Sequence, residues 1–213
     1  MKIVTWNVAG LPKYINLYGN PKLYAKEIVQ HLKKQKADII LLQEVFSNSL
    51  YKKIKAEFEQ KYYMFDYKVK RSYKVFGSGL VTLLLKTKFI IKNSFFHTFK
   101  KASGEDKLAN KGFLSIECDN ITVMNTHLNA DAIFSTKRRC LWVRNKQIGE
   151  VYNYYNGVEQ DCILGGDFNC EGLSFDGGVN DGIDYIFVNG EKKCEKSLKY
   201  TRFSDHPILI CEY

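Results

Sequence analysis

The amino-acid sequence predicts an α/β protein in which two β-sheets pack against each other and helices cover their outer faces. In the first third of the chain, short apolar runs alternate with amphipathic helical patterns. Strand-like runs dominate the middle, and the alternation returns towards the end. This order of elements is typical of layered domains. Because no linker, repeat or low-complexity segment interrupts it, residues 1–213 are expected to form a single domain.

The first third is predicted to contain two strands and two helices. Strands are expected over residues 2–6 and 38–42, and the second helix over residues 50–60. The first helix is predicted to begin at Asn20-Pro21, since Asn suits a helix cap and Pro the first turn, and to end near Lys36. Its apolar stripe has helical spacing and consists of Ala25, Ile28, Val29 and Leu32.

The remainder of the chain is predicted to be rich in strands. They are expected near residues 62–69, 79–85, 89–98, 112–118, 121–125, 162–165, 185–188 and 208–213. One more helix is predicted over residues 134–155. Its apolar stripe would consist of Leu141, Ile148, Val151, Tyr152 and Tyr155.

The composition is that of an ordinary globular protein, with 45% hydrophobic and 26% charged residues. No apolar stretch reaches the length of a membrane span and no signal segment opens the chain, so an intracellular, cytoplasmic protein is expected. The six cysteines lack CxxC spacing, and several lie in apolar runs. We therefore expect reduced, mostly buried thiols rather than a disulfide framework or a zinc site.

The net charge of +9 is unevenly distributed, with an excess between Tyr51 and Lys74. This segment holds eight basic and three acidic residues, with several tyrosines among them. Basic and aromatic residues together suit a polyanion, or peripheral contact with an anionic membrane surface. A solvated, lysine-rich face is the alternative that the sequence leaves open. The protein is expected to be a monomer.

Polar residues lie at or directly beside one end of five predicted strands. The most informative are Gly166-Asp167-Phe168-Asn169, which come after the apolar run of residues 162–164. The others are Trp6-Asn7, Gln43-Glu44, Asn125-Thr126-His127 and Ser204-Asp205-His206. A single such group is often an ordinary turn, since Gly, Asp and Asn favour turns. Five of them suggest one site.

These polar residues at the strand ends supply the side chains that a site for a hard divalent cation needs. The carboxylates are Glu44, Asp167 and Asp205, the amides are Asn7, Asn125 and Asn169, and the imidazoles are His127 and His206. Carboxylate and amide oxygens suit Mg²⁺ or Mn²⁺ rather than zinc. Imidazoles beside such a metal suit the hydrolysis of phosphate esters, in which a base activates water and an imidazolium offsets developing charge.

Six short motifs in order carry a family resemblance that covers nearly the whole chain. They are Thr5-Trp6-Asn7, Leu42-Gln43-Glu44, Asn125-Thr126-His127-Leu128, Gly166-Asp167-Phe168-Asn169, Asp184-Tyr185-Ile186 and Ser204-Asp205-His206. In this set the chain resembles the endonuclease/exonuclease/phosphatase superfamily with its DNase I-like fold. The resemblance implies a four-layer α/β/β/α sandwich of two mixed sheets, with the site at one end.

The resemblance also implies roles for individual residues. Glu44 would bind the catalytic Mg²⁺, helped by Asn7 and supported by Asp205. Asp167 would orient or deprotonate the attacking water, and Asn169 would hold the phosphate or the nucleophile. His206 would contact the scissile phosphate or act as general base, with Asp184 fixing its tautomer. The choice of base between Asp167 and His206 stays open.

The motif details are similar to the neutral sphingomyelinase-like branch of this superfamily. His127 lies in Asn125-Thr126-His127-Leu128, and Lys111-Gly112 lie before a predicted strand, as in that branch. His127 is therefore counted among the catalytic residues, and Lys111 and Asn125 are expected to contact the substrate phosphate. This implies a Mg²⁺-dependent phosphoric diester hydrolase acting on a phospholipid.

Two alternatives remain. The basic Tyr51–Lys74 segment also fits a nuclease or a DNA-end-processing phosphodiesterase, whose binding should weaken steeply with salt. A catalytically inactive binding module would be expected to lack the metal glutamate or the terminal Asp-His pair. This chain retains Glu44, Asp205 and His206.

Overall fold

The structure is a computed structural model of the chain and describes residues 1–11, 21–67, 74–174, 177–189 and 194–213. Its helices are α1 (Pro21–Gln35), α2 (Asn48–Phe58), α3 (Lys137–Asn156) and a 3₁₀-helix, Gly104–Leu108. Its strands are β1 (Lys2–Asn7), β2 (Ile39–Gln43), β3 (Tyr62–Asp66), β4 (Val81–Leu85), β5 (Ile91–Thr98), β6 (Gly112–Cys118), β7 (Ile121–His127), β8 (Asp161–Asp167), β9 (Val179–Asn180), β10 (Asp184–Val188), β11 (Glu195–Lys199) and β12 (Ile208–Glu212). No helix among these residues is both long and apolar enough to cross a membrane.

The strands form two mixed sheets of six strands each. The first sheet has the order β11-β12-β1-β2-β4-β3, and the second has the order β5-β6-β7-β8-β10-β9. In each sheet one central pair is parallel, β1 with β2 and β7 with β8, while the neighbouring pairs are antiparallel.

Three hydrophobic cores separate four layers. Because side chains alternate along a strand, Ile3 of β1 lies in the core between the two sheets, while Val4 and Trp6 lie in the core beneath α1 and α2. A third core joins the outer face of the second sheet to α3, where Leu164 packs with Val151. The predicted α/β/β/α sandwich is confirmed.

The strand registers bring the polar tips to one end of both sheets. In the first sheet, Asn7 lies opposite Gln43 at the ends of the parallel strands β1 and β2. In the second sheet, Asp167 lies opposite both His127 on β7 and Asp184 on β10.

The predicted apolar stripe of the long helix is partly wrong. Leu141 and Tyr152 are 50% and 47% exposed, whereas Arg144 and Gln147 are buried. The reason is that these two polar side chains bind loop backbone: Arg144 donates to Asn129 O and Gln147 to Lys101 O. A pattern based on hydrophobicity alone does not reveal such a face.

Some predicted helices and strands begin or end at other residues in the structure, or extend beyond the residues that it describes. Asn20, the predicted helix cap, lies outside the described residues, and α1 begins at Pro21. The strand predicted over residues 62–69 ends at Asp66, and residues 68–73 of the basic segment also lie outside the described residues. In the described part of that segment, ion pairs with glutamates engage Lys53 and Lys55.

The expectation that all cysteines are reduced is wrong. Cys194 and Cys211 form a disulfide, while Cys118, Cys140, Cys162 and Cys170 are free. The pairing follows from the antiparallel contact of β11 with β12, which sets Lys196 opposite Cys211 and brings the preceding Cys194 close. Because disulfides are typical of oxidising compartments, the cysteines no longer support the expectation of an intracellular protein.

Candidate active site

Asp167 lies at the centre of the gathered polar side chains and is almost completely buried. The Nδ2 of Asn7 donates to Asp167 Oδ2 at 2.9 Å and to Glu44 Oε1 at 3.2 Å. The Nε2 atoms of His127 and His206 lie 3.5 and 3.7 Å from the same Asp167 oxygen. The site therefore joins residues from both sheets.

His206, which precedes β12 of the first sheet, is oriented by the carboxylate of Asp184 on β10 of the second sheet. Its Nδ1 lies 2.6 Å from Asp184 Oδ2, so its Nε2 faces Asp167. The second oxygen of Asp184 is buried and has no hydrogen-bond partner within the described part of the chain. Asp205 lies at the rim: its side chain is 60% exposed, and its Oδ1 is 4.0 Å from His206 Nε2.

Unusual backbone conformations surround the site. Ala9, Glu44 and Asn169 have positive φ angles of 46°, 59° and 52°. For residues other than glycine this conformation costs on the order of 1–3 kcal/mol, and such strain is concentrated at functional sites. Beside Asp167, a Cβ on Gly166 would collide with the carbonyl oxygen of Thr126, so glycine is required for β8 to lie this close to β7.

The buried carboxyl groups hold their protons more tightly than usual. Burial raises the pKa of Glu44, against the opposing charge of Lys111. Burial also raises the pKa of Asp167, against the charge of His206. The pKa of Asp184 is raised to about 7, first by burial and then by the charge of Asp167.

The two histidines have opposite shifts. Burial, together with the charges of Lys111 and His206, holds the pKa of His127 well below its ordinary value. Burial by itself would lower the pKa of His206, but the hydrogen bond to Asp184 and the charges of Asp184 and Asp167 outweigh it and raise the pKa to about 10. His206 is therefore the imidazolium of the site.

The shifted pKa of His206 predicts how the stability of the metal-free protein depends on pH. A group whose pKa is raised by folding stabilises the fold fully below its ordinary value, 6.5, and loses that contribution as pH rises towards the folded value of about 10. We expect the free energy of unfolding to fall over this range, and His206→Asn to flatten the slope. Urea denaturation with a chelator present measures it. If the free energy of unfolding of the variant fell with pH as steeply as that of the wild type, the raised pKa of His206 would be contradicted.

The donor set fits a divalent cation near Glu44. Among the described residues, no lysine or arginine forms an ion pair with Glu44 or Asp167, although a single amide holds the two carboxylates together. Asp167 has the imidazolium of His206 nearby, whereas Glu44 has no ion-pair partner among the described residues. A carboxylate removed from solvent without such a partner is costly, and carboxylate oxygens are the ligands that Mg²⁺ and Mn²⁺ prefer. Asn7 Oδ1 accepts from Ala9 N, so Asn7 presents nitrogen here and orients the carboxylates.

A second grouping of ligand atoms is less suitable for a metal. One ligand atom from each of Asp167, Asp184 and His206 lies within 4.8 Å of the others. However, His206 Nδ1 is engaged by Asp184 at 2.6 Å, and a metal ion on that nitrogen would break the contact. These three residues are therefore better suited to carrying a proton, and Glu44 is the residue that could hold a cation.

Lys111 is fixed at the edge of the site. Its side chain is 3% exposed, and its Nζ lies 3.0 Å from Asp106 Oδ1 and 3.0 Å from Leu128 O. The amide of Asn169 donates to the same carbonyl at 3.1 Å. Asp106 was not predicted as a site residue; the acidic pair Glu105-Asp106 shortly before Lys111 is the signal in the sequence that marks it.

The structure does not support the prediction that Asn125 contacts the substrate phosphate. Asn125 is completely buried between the sheets. Its Nδ2 donates to Leu42 O, Val81 O and Thr82 Oγ1, and its Oδ1 accepts from Gln43 Nε2 at 2.8 Å. With both donors of the amide engaged, Asn125 joins the two sheets behind the site.

Replacement of Asn125 by leucine is expected to destabilise the fold. The change removes four hydrogen bonds. Because each buried polar group left unpaired costs about 1–3 kcal/mol, we expect the free energy of unfolding to fall by at least about 2 kcal/mol. Urea denaturation of this variant and of the exposed control Asn145→Ala measures the effect. A loss no larger than that of the control would remove Asn125 from the inter-sheet contact.

A cavity of about 260 Å³ lies next to the segment of chain that follows Glu44. It begins at Val45 and Phe46, the residues that follow Glu44, and Val45 N donates to Gly79 O in its wall. Four aromatic rings and one carboxylate line it: Phe46, Phe76, Tyr51, Tyr67 and Asp66. Such a lining suits a cationic group, because aromatic faces attract cations.

Comparisons with known proteins agree with this geometry. A model of the Endonuclease/Exonuclease/phosphatase family matches residues 4–206. No curated protein is significantly similar to the chain in sequence.

Among solved structures, a mutant beta toxin from Staphylococcus aureus with bound magnesium ions is 19% identical, covers 99% of this chain and 98% of its own, and has a TM-score of 0.78. Sphingomyelinase C from Streptomyces griseocarneus is 15% identical over 99% and 98% of the two chains, with a TM-score of 0.77. A humanized D. rerio TDP2 is 19% identical over 99% and 97%, with a TM-score of 0.74. At these identities the similarity shows a shared fold.

Proposed function

The chain belongs to the endonuclease/exonuclease/phosphatase family, and from this premise we propose that it is a divalent-metal-dependent phosphodiesterase. One observation carries the proposal. A single amide, that of Asn7, bridges the carboxylates of Glu44 and Asp167, while the Asp184–His206 pair faces the same Asp167 oxygen. Metal ligand, base and acid thus converge on one point. Because both sheets contribute, we propose that residues 1–213 act as one catalytic domain.

The cation, proposed to be Mg²⁺ or alternatively Mn²⁺ and held by Glu44, would polarise a phosphate oxygen and offset its charge. Asp167 Oδ2 orients the attacking water and accepts its proton as the water oxygen attacks phosphorus. The bond from phosphorus to the leaving oxygen breaks, and that oxygen takes a proton from His206 Nε2. Asp184, 2.6 Å from His206 Nδ1, stabilises the imidazolium before that transfer.

The remaining site residues have supporting roles in this proposal. His127 and Asn169 contact the phosphate or the nucleophile, since both lie beside Asp167: His127 Nε2 at 3.5 Å, and the backbone N–H of Asn169 at 2.9 Å from Oδ1. Lys111 supplies positive charge to the phosphate from its position beside Leu128 O. Asp205, at the exposed rim, supports the metal site.

We favour a phospholipid with a cationic headgroup as substrate. The aromatic cavity that is lined by the residues after Glu44 and by the carboxylate of Asp66 supports this choice. The similarity to a sphingomyelinase C is consistent with it. The alternative is nucleic acid, which the net charge of +9 and the similarity to TDP2 favour.

A substrate panel tests the proposal. The purified protein is assayed with Mg²⁺ or with a chelator against sphingomyelin vesicles, abasic duplex DNA, single-stranded DNA, 5′-phosphotyrosyl DNA and a soluble bis-aryl phosphodiester. We expect chelator-sensitive release of phosphocholine from the vesicles. Preferential cleavage of any DNA substrate would support the nucleic-acid alternative. Absence of chelator-sensitive hydrolysis across the panel would instead identify an inactive binding module.

A further inference from the structure

Two adjacent apolar side chains are unusually exposed in the loop that joins β7 to α3, residues 128–136. Ile133 is 90% exposed and Phe134 is 83% exposed. Single exposed apolar residues are common on protein surfaces, whereas contiguous exposed apolar patches mark interaction sites.

This loop is held by three side chains, two from the 3₁₀-helix and one from α3. Glu105 Oε1 accepts hydrogen bonds from the N–H groups of Ile133 and Phe134, at 3.0 and 3.3 Å. Asp106 Oδ2 accepts from Ala130 N at 2.7 Å, and Arg144 Nη2 pairs with Asp131 Oδ1 at 3.0 Å. The fold therefore presents Ile133 and Phe134 to solvent from a fixed backbone.

Positive charge lies directly beside them, at a place where the helix does not favour it. Lys137, Arg138 and Arg139 are exposed and occupy the first turn of α3, which contains no acidic residue. A helix N-terminus carries partial positive charge, so three basic residues there are unfavourable for the helix. An anionic partner would remove that penalty. One turn further on, Trp142 is 42% exposed. The guanidinium of Arg139 lies over its indole ring, with Cζ 4.6 Å from the ring centroid.

The loop that carries Ile133 and Phe134 starts beside the residues of the candidate site. The loop begins at Leu128, whose carbonyl accepts from Lys111 and Asn169. A surface that contacts Ile133 and Phe134 would therefore bind a loop that is continuous in sequence with the site.

We propose that the docking surface formed by Ile133, Phe134, Trp142 and the basic turn Lys137–Arg139 binds anionic phospholipid bilayers. Apolar tips enter the acyl boundary, an aromatic ring lies at the interface, and lysine and arginine contact anionic headgroups. Nucleic acid fits less well, because it is bound by stacking on aromatic faces and an aliphatic Ile133 cannot stack. The proposal goes beyond hydrolysis, since bilayer binding is measured without turnover.

Vesicle co-sedimentation with a chelator present tests this binding. The protein is mixed with phosphatidylcholine vesicles with and without phosphatidylserine, and separately with a single-stranded oligonucleotide. We expect binding that requires phosphatidylserine and weakens with salt. Combined Ile133→Ser and Phe134→Ser should lower vesicle partitioning at least about tenfold, as expected for losing two large apolar side chains from a bilayer. Arg138→Glu with Arg139→Glu should remove the preference for phosphatidylserine.

Leu23→Ser is the matched control, because Leu23 is 76% exposed on α1, in the opposite outer layer. It should bind vesicles as the wild type does, and every variant should keep the wild-type melting temperature and activity on the soluble diester. Wild-type protein that does not bind the vesicles, or an Ile133/Phe134 variant that binds as tightly, would overturn the proposal. The proposal would also be overturned if the Ile133/Phe134 variant lost binding to the oligonucleotide but not to the vesicles.

Discussion

Replacement of Glu44 by glutamine is expected to abolish metal-dependent hydrolysis with little effect on the fold. Glutamine keeps the size of the side chain, and Asn7 can still bond its oxygen, but the negative charge that holds the cation is lost. Because a bound divalent cation supplies several kcal/mol of transition-state stabilisation, turnover should fall at least about a thousandfold. Hydrolysis of the soluble diester is measured across a range of Mg²⁺ concentrations.

A second measurement follows metal binding without turnover. Mg²⁺ should raise the thermal stability of the wild type, by about 2.7 kcal/mol at a concentration near 100-fold Kd, and should leave Glu44→Gln unchanged. The exposed Glu159→Gln variant is the control and should respond as the wild type does. If Glu44→Gln keeps both the Mg²⁺-dependent stabilisation and the activity, the assignment of the cation to Glu44 is wrong.

Replacement of His206 by alanine is expected to lower turnover at least about a hundredfold, the scale of a lost general acid or charge-stabilising group. The variant keeps Glu44 and Asp167, so the stabilisation by Mg²⁺ should persist. This separates the chemical role of His206 from metal binding. Initial rates on the soluble diester, with and without saturating Mg²⁺, give the comparison.

The chain offers an unusually close control for this variant. His97 also pairs with a carboxylate, Glu150, at 2.7 Å, but it lies on β5 away from the site. His97→Ala should keep full turnover. Asp184→Asn should reduce turnover in the same direction as His206→Ala, and the double variant should lose less than the product of both effects, because the two residues act as a pair. Near-normal rates in His206→Ala would remove it from the chemistry.

Much of the site could be predicted from the sequence, because its residues follow short apolar runs. Asn7, Glu44 and Asp167 each stand at the end of a buried strand, and strands of this kind place their ends at one edge of a sheet. The family motifs added the expected pairing of Asp184 with His206, and the structure places their side chains 2.6 Å apart.

Other features could not be read from local patterns. β11, with the sequence Glu-Lys-Ser-Leu-Lys, is an edge strand of mostly exposed residues and lacks apolar alternation, so it was not predicted. The role of Asn125 depends on partners from two other strands, and its motif alone suggested a phosphate contact. In both cases the deciding contacts are tertiary, and no spacing within the chain encodes them.

The amide of Asn7 has a consequence for how distant parts of the protein influence the chemistry. Asn7 and Glu44 belong to the first sheet and Asp167 to the second, and the inter-sheet core, which includes Leu41 and Ile163, lies behind them. The thickness of that core therefore sets the distance between Glu44, the proposed ligand of the cation, and Asp167, which is proposed to orient the attacking water. Residues that never touch a substrate can tune catalysis by changing this spacing. In the proposed mechanism, the sandwich thus contributes to catalysis by holding the site residues of the two sheets at a fixed distance from each other.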